Sequence, residues 1–250
     1  MKRQDDSSAV ACAGLGKVFG GRSVLCDISF SVPHGSVCAI VGANGAGKTT
    51  LLKILATLVT PSAGRARVCG ADVGKSPALA RRRIGYMSSE ERSFYWRLTG
   101  EQNLRFFAAL QGMSRSASEA GITRLLDRLG LCQMRGRRFQ EYSTGMKQLL
   151  SIARGLLHDP PVILADEPTR SLSPEASERF YDLVRDETKN GKTFLFASHN
   201  LPEVACLADT VLRLAEGRIA AQGQMKDVVE RFPVSAGNSA GVSQGSAGLL

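Results

Sequence analysis

The chain of 250 residues has no uninterrupted apolar stretch approaching the roughly 18 residues that a membrane-spanning helix requires. Its start, Met1 to Val10, is polar and lacks the charged-then-apolar order of an export signal, so the chain is expected to stay in the cytoplasm. Paired cysteines are missing too. The six that occur, Cys12, Cys26, Cys38, Cys69, Cys132 and Cys206, are too widely spaced for a zinc or redox motif and are expected to be reduced and mostly in the core. No aromatic residue is interleaved in the arginine clusters Arg81, Arg82, Arg83 and Arg135, Arg137, Arg138, so these lack the pattern on which bases of a nucleic acid would stack. The net charge of +9 is compatible with an anionic partner such as nucleic acid or a membrane surface, but reads better as a solvated basic face, with no nucleic-acid partner expected. No internal repeat is visible. Beyond Phe232 the residues are mainly Ser, Gly and Ala, which cannot offset their ordering entropy by burial, and 233–250 is expected to be a disordered low-complexity tail.

What is present suffices for one substantial core, since 43% of the residues are apolar. Ile28, Phe30 and Val32 alternate with polar residues as in a strand buried on one face, whereas Val37 to Val41 is continuously apolar, as in a strand buried on both. From about Ser88 to Leu157 the period becomes helical. Ile122, Leu125, Leu126 and Leu129 fall on one stripe, and Thr99 with Gln102 forms the capping box of another helix. Apolar strands return at Val162 to Ala165, Phe194 to Ala197 and Val211 to Leu214, alternating with helical stretches in the manner of a mostly parallel sheet.

The strand ending at Val41 runs into Gly42, Ala43, Asn44, Gly45, Ala46, Gly47, Lys48, Thr49 and Thr50, followed by Leu51, Leu52, Ile54 and Leu55 at helical spacing. This is a Walker A loop in its proper setting. Its glycines let backbone N–H groups converge on phosphate oxygens at a helix N-terminus, Lys48 is expected to reach the β and γ phosphates, and Thr49 to ligate magnesium. The apolar strand Val162 to Ala165 delivers Asp166 and Glu167 to the carboxyl edge of the sheet. Asp166 is the candidate magnesium partner, directly or through water, and Glu167 the candidate for orienting and polarising an attacking water. His199 ends the next such strand. A lone histidine is usually structural; its strand-end place, together with the family resemblance given next, implies that His199 bonds the γ phosphate.

The order of these motifs from about Leu15 to Gly223 resembles the ABC ATPase family, and its marker is Tyr142, Ser143, Thr144, Gly145, Met146, Lys147 and Gln148, which is similar to the ABC signature sequence. Ser143 is placed to cap the helix that follows and leave its first amides free for an anion. The resemblance implies an α/β fold with a RecA-like P-loop NTPase core, a mostly parallel sheet, an N-terminal antiparallel β region and a helical subdomain of about 88–157 inserted into an ATPase domain of 8–232. It implies ATP and Mg²⁺ as cofactors, and a head-to-tail homodimer in which Ser143 and Gly145 of one copy close over ATP held by the Walker A loop of the other. It also places Phe19 where the family stacks an aromatic on adenine, although a phenylalanine there serves equally well as core.

Three positions depart from the family pattern. Ser89 stands where a magnesium-contacting glutamine is usual, Ser173 where an aspartate is usual, and Leu149 where a basic residue follows the signature. Ser173 before Pro174 still makes a good helix start. Because Lys48, Asp166, Glu167 and His199 are all present, the resemblance implies an active ATPase that drives transport through a separate membrane permease, on the inner face of the cell membrane. The Ser-Thr-Gly-Met form of the signature is similar to that of exporter subunits. Permease docking is expected near Ser89 to Leu98, where two readings of Phe94 and Trp96 stand side by side: an interface, or packing of the helical subdomain. The alternatives are a soluble ABC ATPase acting on nucleic acid or in assembly, and a regulatory subunit with little turnover.

Overall fold

The computed structural model describes residues 8–88 and 94–230. Ser89, and the expected tail of 233–250, lie outside the described residues.

The chain opens with β1 (Ser8–Phe19) and β2 (Arg22–Pro33), an antiparallel hairpin turned by Gly20 and Gly21, both at positive φ as a two-residue hairpin loop requires. Then come β3 (Val37–Val41), α1 (Lys48–Leu55), β4 (Ala63–Val68), β5 (Ala71–Asp72), α2 (Pro77–Arg82) and β6 (Ile84–Ser88). The helical block follows as α3 (Gly100–Leu110), α4 (Arg115–Arg128) and α5 (Thr144–Leu156). The chain then alternates through β7 (Val162–Asp166), α6 (Pro174–Lys189), β8 (Thr193–Ala197), α7 (Leu201–Leu207) and β9 (Thr210–Ala215), and closes with β10 (Arg218–Gly223) and α8 (Met225–Glu230).

Among the described residues the strands form two sheets. The smaller is antiparallel, in the order β2-β1-β4-β5; the larger runs β10-β9-β3-β8-β7-β6, parallel except for the edge strand β10. Val37 to Val41, read as a strand buried on both faces, lies in the middle of this larger sheet with the other apolar runs, and their side chains divide with period two. Val37, Ala39, Val41, Ile163, Ala165, Phe194 and Phe196 face a core shared with the helical block. Cys38, Ile40, Val162, Leu164, Leu195 and Ala197 face a second core filled from α1 and the antiparallel sheet. The α/β architecture with its N-terminal antiparallel sheet is thus as expected.

The helical block is anchored by local chemistry and by close packing. Thr99 Oγ1 accepts from the Gln102 N–H at 3.1 Å while Gln102 Oε1 accepts from the Thr99 N–H at 2.9 Å, the expected capping box, worth about 1 kcal/mol. Ile122, Leu125, Leu126 and Leu129 are all buried. Charge pairing adds a second tie: Glu187 of α6, almost wholly buried, accepts from Arg124 at 3.2 Å and Arg128 at 3.4 Å on α4, and also pairs with Lys192. A buried carboxylate without such partners would cost several kcal/mol by desolvation, so the pairing makes the burial tolerable rather than strongly stabilising.

Helix α5 lies directly on β6 because glycines face each other there. A Cβ on Gly85 would sit 2.0 Å from the Gly155 carbonyl oxygen, and one on Gly155 would sit 2.7 Å from Met87 Cγ. Gly85→Ala is therefore expected to destabilise the fold by about 1–3 kcal/mol through overpacking against backbone, read as a lowered denaturation midpoint at unchanged m-value.

The cysteines depart in part from expectation. Cys12 and Cys38 are buried, and burial pushes the Cys38 thiol up to about 12, but Cys26 and Cys69 are partly buried and Cys132 and Cys206 face solvent. All are free thiols. Wide spacing excludes a motif; it does not place a residue on the inner face of an element.

Candidate active site

Strand β3 and helix α1 are joined by the glycine-rich loop, and two of its glycines are dictated by geometry. A Cβ on Gly42 would lie 2.3 Å from the Leu214 carbonyl oxygen, so only glycine lets the loop leave the sheet beside β9. Gly47 precedes α1 at φ 104°, a left-handed conformation that costs a residue with a Cβ. Ala46 and Gly47 are buried and support the loop from below, Asn44 and Gly45 are exposed at its rim, and Thr50 is half-buried on the first turn of α1. Lys48 is buried with its ammonium folded back on the loop, donating to Gly42 O at 2.7 Å and Ala43 O at 3.0 Å.

Opposite the loop, the carboxyl ends of β7 and β8 bring in the acids. Thr49 Oγ1 donates to Asp166 Oδ1 at 3.1 Å, which joins the helix start to the strand end across 117 residues of sequence. Burial pushes the Asp166 carboxyl above its ordinary range, and the adjacent Glu167 charge adds to this; the Thr49 hydroxyl and the ammonium groups of Lys53 and Lys48 pull the other way. Glu167 has φ 51°, a conformation uncommon for a non-glycine residue, held by its own N–H donating to Ala197 O at 3.0 Å. The turn aims its carboxylate at His199, whose Nδ1 lies 2.7 Å from Glu167 Oε2.

Thr49 and Asp166 supply two hard oxygen donors at one point beside the loop, and among the described residues no group of three His, Cys, Asp or Glu is arranged to hold a metal alone. That combination fits magnesium, which binds through one or two protein oxygens, substrate phosphates and waters, and not a transition metal caged by protein.

The signature lies at the start of α5. Ser143 is its N-cap, Oγ accepting from the Met146 N–H at 3.2 Å, and Gly145 packs so closely that a Cβ would lie 2.8 Å from Ser171 O. Phe19 is 47% exposed at the tip of β1, with Lys17 Nζ 4.6 Å from its ring centroid, so it is not a core residue. The open question about the aromatic stretch divides: Phe94 is core, stacked at 4.7 Å on Phe139, while Tyr95 and Trp96 are half-exposed, Trp96 beneath Lys147 at 4.7 Å. Ser173 caps α6 as expected, accepting from the Ala176 N–H at 3.3 Å. Leu149 is buried in the helical core.

Sequence reasoning missed the residues that tie these parts together. Gln148 Nε2 donates to Pro168 O at 3.0 Å and Ser151 Oγ to Ser88 O at 2.9 Å, so α5 holds both the turn after Glu167 and the end of β6. Glu203, with Thr169 and Ser198, forms a third buried link. A glutamate among the apolar residues of α7, one turn beyond His199, is the signal available for it in sequence.

A glycine-rich loop between a buried parallel strand and a helix, faced by a strand-end aspartate and glutamate, defines a P-loop nucleoside triphosphatase. Comparison with known proteins narrows the class. The family model described as ABC transporter matches residues 25–170. The chain is 39% identical over 204 residues, 82% of its length and 83% of the relative's, to the ABC transporter ATP-binding protein NatA of Bacillus subtilis (strain 168). It is 36% identical over 230 residues, 91% of its length and 69% of the relative's, to the doxorubicin resistance ATP-binding protein DrrA of Mycobacterium tuberculosis. Its fold superposes on the solved structure of an ATP-binding subunit of an ABC transporter with a TM-score of 0.82 at 28% identity, covering 90% of this chain and 93% of that one. The chain belongs to the ABC transporter family as an ATP-binding subunit, an ATPase whose hydrolysis is coupled to transport.

Proposed function

We propose that the chain powers export through a separate membrane permease, hydrolysing ATP at two sites shared across a head-to-tail homodimer. The observation that carries the catalytic part is the Glu167–His199 pair at 2.7 Å, held beside the Thr49–Asp166 pair at the mouth of the phosphate loop.

In this reading ATP lies along the loop with its adenine on the exposed ring of Phe19, and the amides from Gly45 to Thr50 bind the phosphates. Lys48 exchanges the carbonyls of Gly42 and Ala43 for β and γ phosphate oxygens, a short movement because its ammonium already lies in the loop. Thr49 and Asp166 would hold Mg²⁺, and Ser89, which lies outside the described residues, joins them only as an assignment from its place in the sequence. When bound, the metal neutralises charge on the β and γ phosphates. Glu167 orients the attacking water and takes up its proton as the water oxygen bonds to the γ phosphorus and the bond to the ADP oxygen breaks. His199 holds the Glu167 carboxylate and lies exposed, where it can also bond the γ phosphate. Ser143 and the Gly145 amide of the partner subunit would complete the anion cradle from the start of its α5.

The division of the chain belongs to the same proposal: one ATPase domain of 8–232 with a helical subdomain of about 88–157 inserted, and a low-complexity tail of 233–250. Among the described residues no helix is long and apolar enough to cross a membrane. A peripheral place on the inner face of the cell membrane, beside the permease, is part of the same proposal and rests on the relatives named as transporter ATP-binding proteins. Tyr95, Trp96 and Arg97, exposed on the helical block, form the docking surface for the permease. Export rests on the form of the signature and on a relative named for drug resistance.

Tagged Glu167→Gln chain, purified with ATP and Mg²⁺ from detergent-solubilised native membranes, is expected to bring down a multi-span membrane protein, and Trp96→Ala is expected to reduce that recovery. Recovery of soluble or nucleic-acid partners alone would contradict the transporter reading and favour a soluble ATPase.

A further inference from the structure

The link formed by Glu203 has no counterpart in the roles just given. Glu203 is 1% exposed, on α7, and each of its carboxylate oxygens takes a hydroxyl from a different strand end. Thr169, two residues after Glu167, donates to Oε1 at 2.9 Å, and Ser198, immediately before His199, donates to Oε2 at 2.6 Å. Ser198 Oγ in turn accepts from the Asn200 N–H at 3.0 Å, and Asn200 Oδ1 accepts from the Glu203 N–H at 3.4 Å, which closes the network on the start of α7.

Packing alone does not account for an acid here. A buried carboxylate is costly, an apolar side chain of similar volume would fill the space at lower free energy, and burial does push the Glu203 carboxyl above its ordinary range. What an apolar side chain lacks is two acceptors about one carboxylate width apart. Those acceptors join the loop after β7 to the end of β8, the two segments that carry Glu167 and His199. The Glu167 turn is left-handed and so depends on its surroundings to persist; Ala197 O holds its N–H, Gln148 holds the Pro168 carbonyl, and Glu203 holds Thr169 from the side of β8.

We propose that Glu203 is a positioning residue for ATP hydrolysis, cross-linking the loops after β7 and β8 so that Glu167 and His199 stay in register with each other and with the phosphate loop. This rests on the assignment of Glu167 as the residue that activates water. Glu203, buried behind the two loops, acts through Thr169 and Ser198. A misplacement of about an ångström at a reacting pair can cost as much as a hundredfold in rate, so the effect belongs in kcat and not in ATP binding.

The test compares the full-length wild-type chain with Glu203→Gln, Thr169→Val, the double variant of these two, and Glu167→Gln as control. Glu203→Gln is expected to lower kcat by roughly tenfold or more while KM for ATP stays within about twofold. Because Thr169 and Glu203 act as one unit, the double variant is expected to lose no more turnover than Glu203→Gln alone. Thr169→Val, which leaves α7 intact, is expected to lower kcat at unchanged KM even if Glu203→Gln proves too unstable to purify. The proposal is overturned if Glu203→Gln and Thr169→Val turn over like wild type while Glu167→Gln is inactive, if their losses multiply in the double variant, or if KM rises with kcat unchanged. Wild-type turnover by Glu167→Gln would instead defeat the underlying assignment of the catalytic residue.

Discussion

Replacing Lys48 by alanine is expected to lower ATP turnover by at least about a hundredfold and to weaken ATP binding, measured as kcat, KM and nucleotide affinity of the purified chain. The reason is in the geometry of the loop. Lys48 is buried, and among the described residues its ammonium bonds to the carbonyl oxygens of Gly42 and Ala43 and to no carboxylate. Two carbonyl dipoles hold a cation less well than phosphate oxygens do, so the side chain is poised to transfer to the nucleotide and to oppose the charge of the γ phosphate in the transition state. Alanine keeps the helix start, since its helix propensity is high, and removes only that charge. Turnover and affinity equal to wild type would show that the loop does not bind the phosphates as described.

Glu167→Gln is expected to lower turnover by about a hundredfold to ten-thousandfold while ATP binding is retained. Glutamine preserves the shape of the side chain and can still pair with His199 Nδ1 across the 2.7 Å contact, so the turn and the neighbouring backbone bond to Ala197 should persist. What is lost is the capacity to take a proton from water. A non-catalytic, regulatory subunit would show the same low turnover before and after the change, and rapid-quench measurement of a single turnover separates the two cases. Loss of binding together with turnover would mean that Glu167 holds the fold of the loop and not the water.

Much of this site is legible in sequence because its parts follow local rules. The phosphate loop is contiguous, its glycines are demanded by close approach at Gly42 and left-handed backbone at Gly47, and buried strands announce themselves as unbroken apolar runs such as Val37 to Val41. The Thr99 capping box and the Ser143 and Ser173 caps are likewise short-range signals that the structure reproduces. What stays hidden depends on contacts between distant segments. Glu203 meets Thr169 across 34 residues, Gln148 meets Pro168 across 20, and Glu187 meets Arg124 across 63; no periodicity encodes such pairings. Phe94 and Trp96 show the same limit at close range. They are two positions apart, yet one is stacked in the core and the other half-exposed, because Phe139 arrives from beyond α4 to cover Phe94.

The departures at Ser173 and Leu149 fit the surrounding structure. Ser173 supplies the cap that starts α6 without a charge, and Leu149 is buried where a basic side chain would need a partner. Lys48, Thr49, Asp166, Glu167 and His199 keep the arrangement described above beside these departures, as an active enzyme requires.

The measurement that goes most directly to the shared-site dimer is the mass in solution of the Glu167→Gln chain, by light scattering, with and without ATP and Mg²⁺. A monomer without nucleotide that becomes a dimer holding one ATP per chain is the result expected, with Ser143→Arg preventing association but not ATP binding. A chain that binds ATP at saturation and stays monomeric would contradict a site completed by the signature of a second copy.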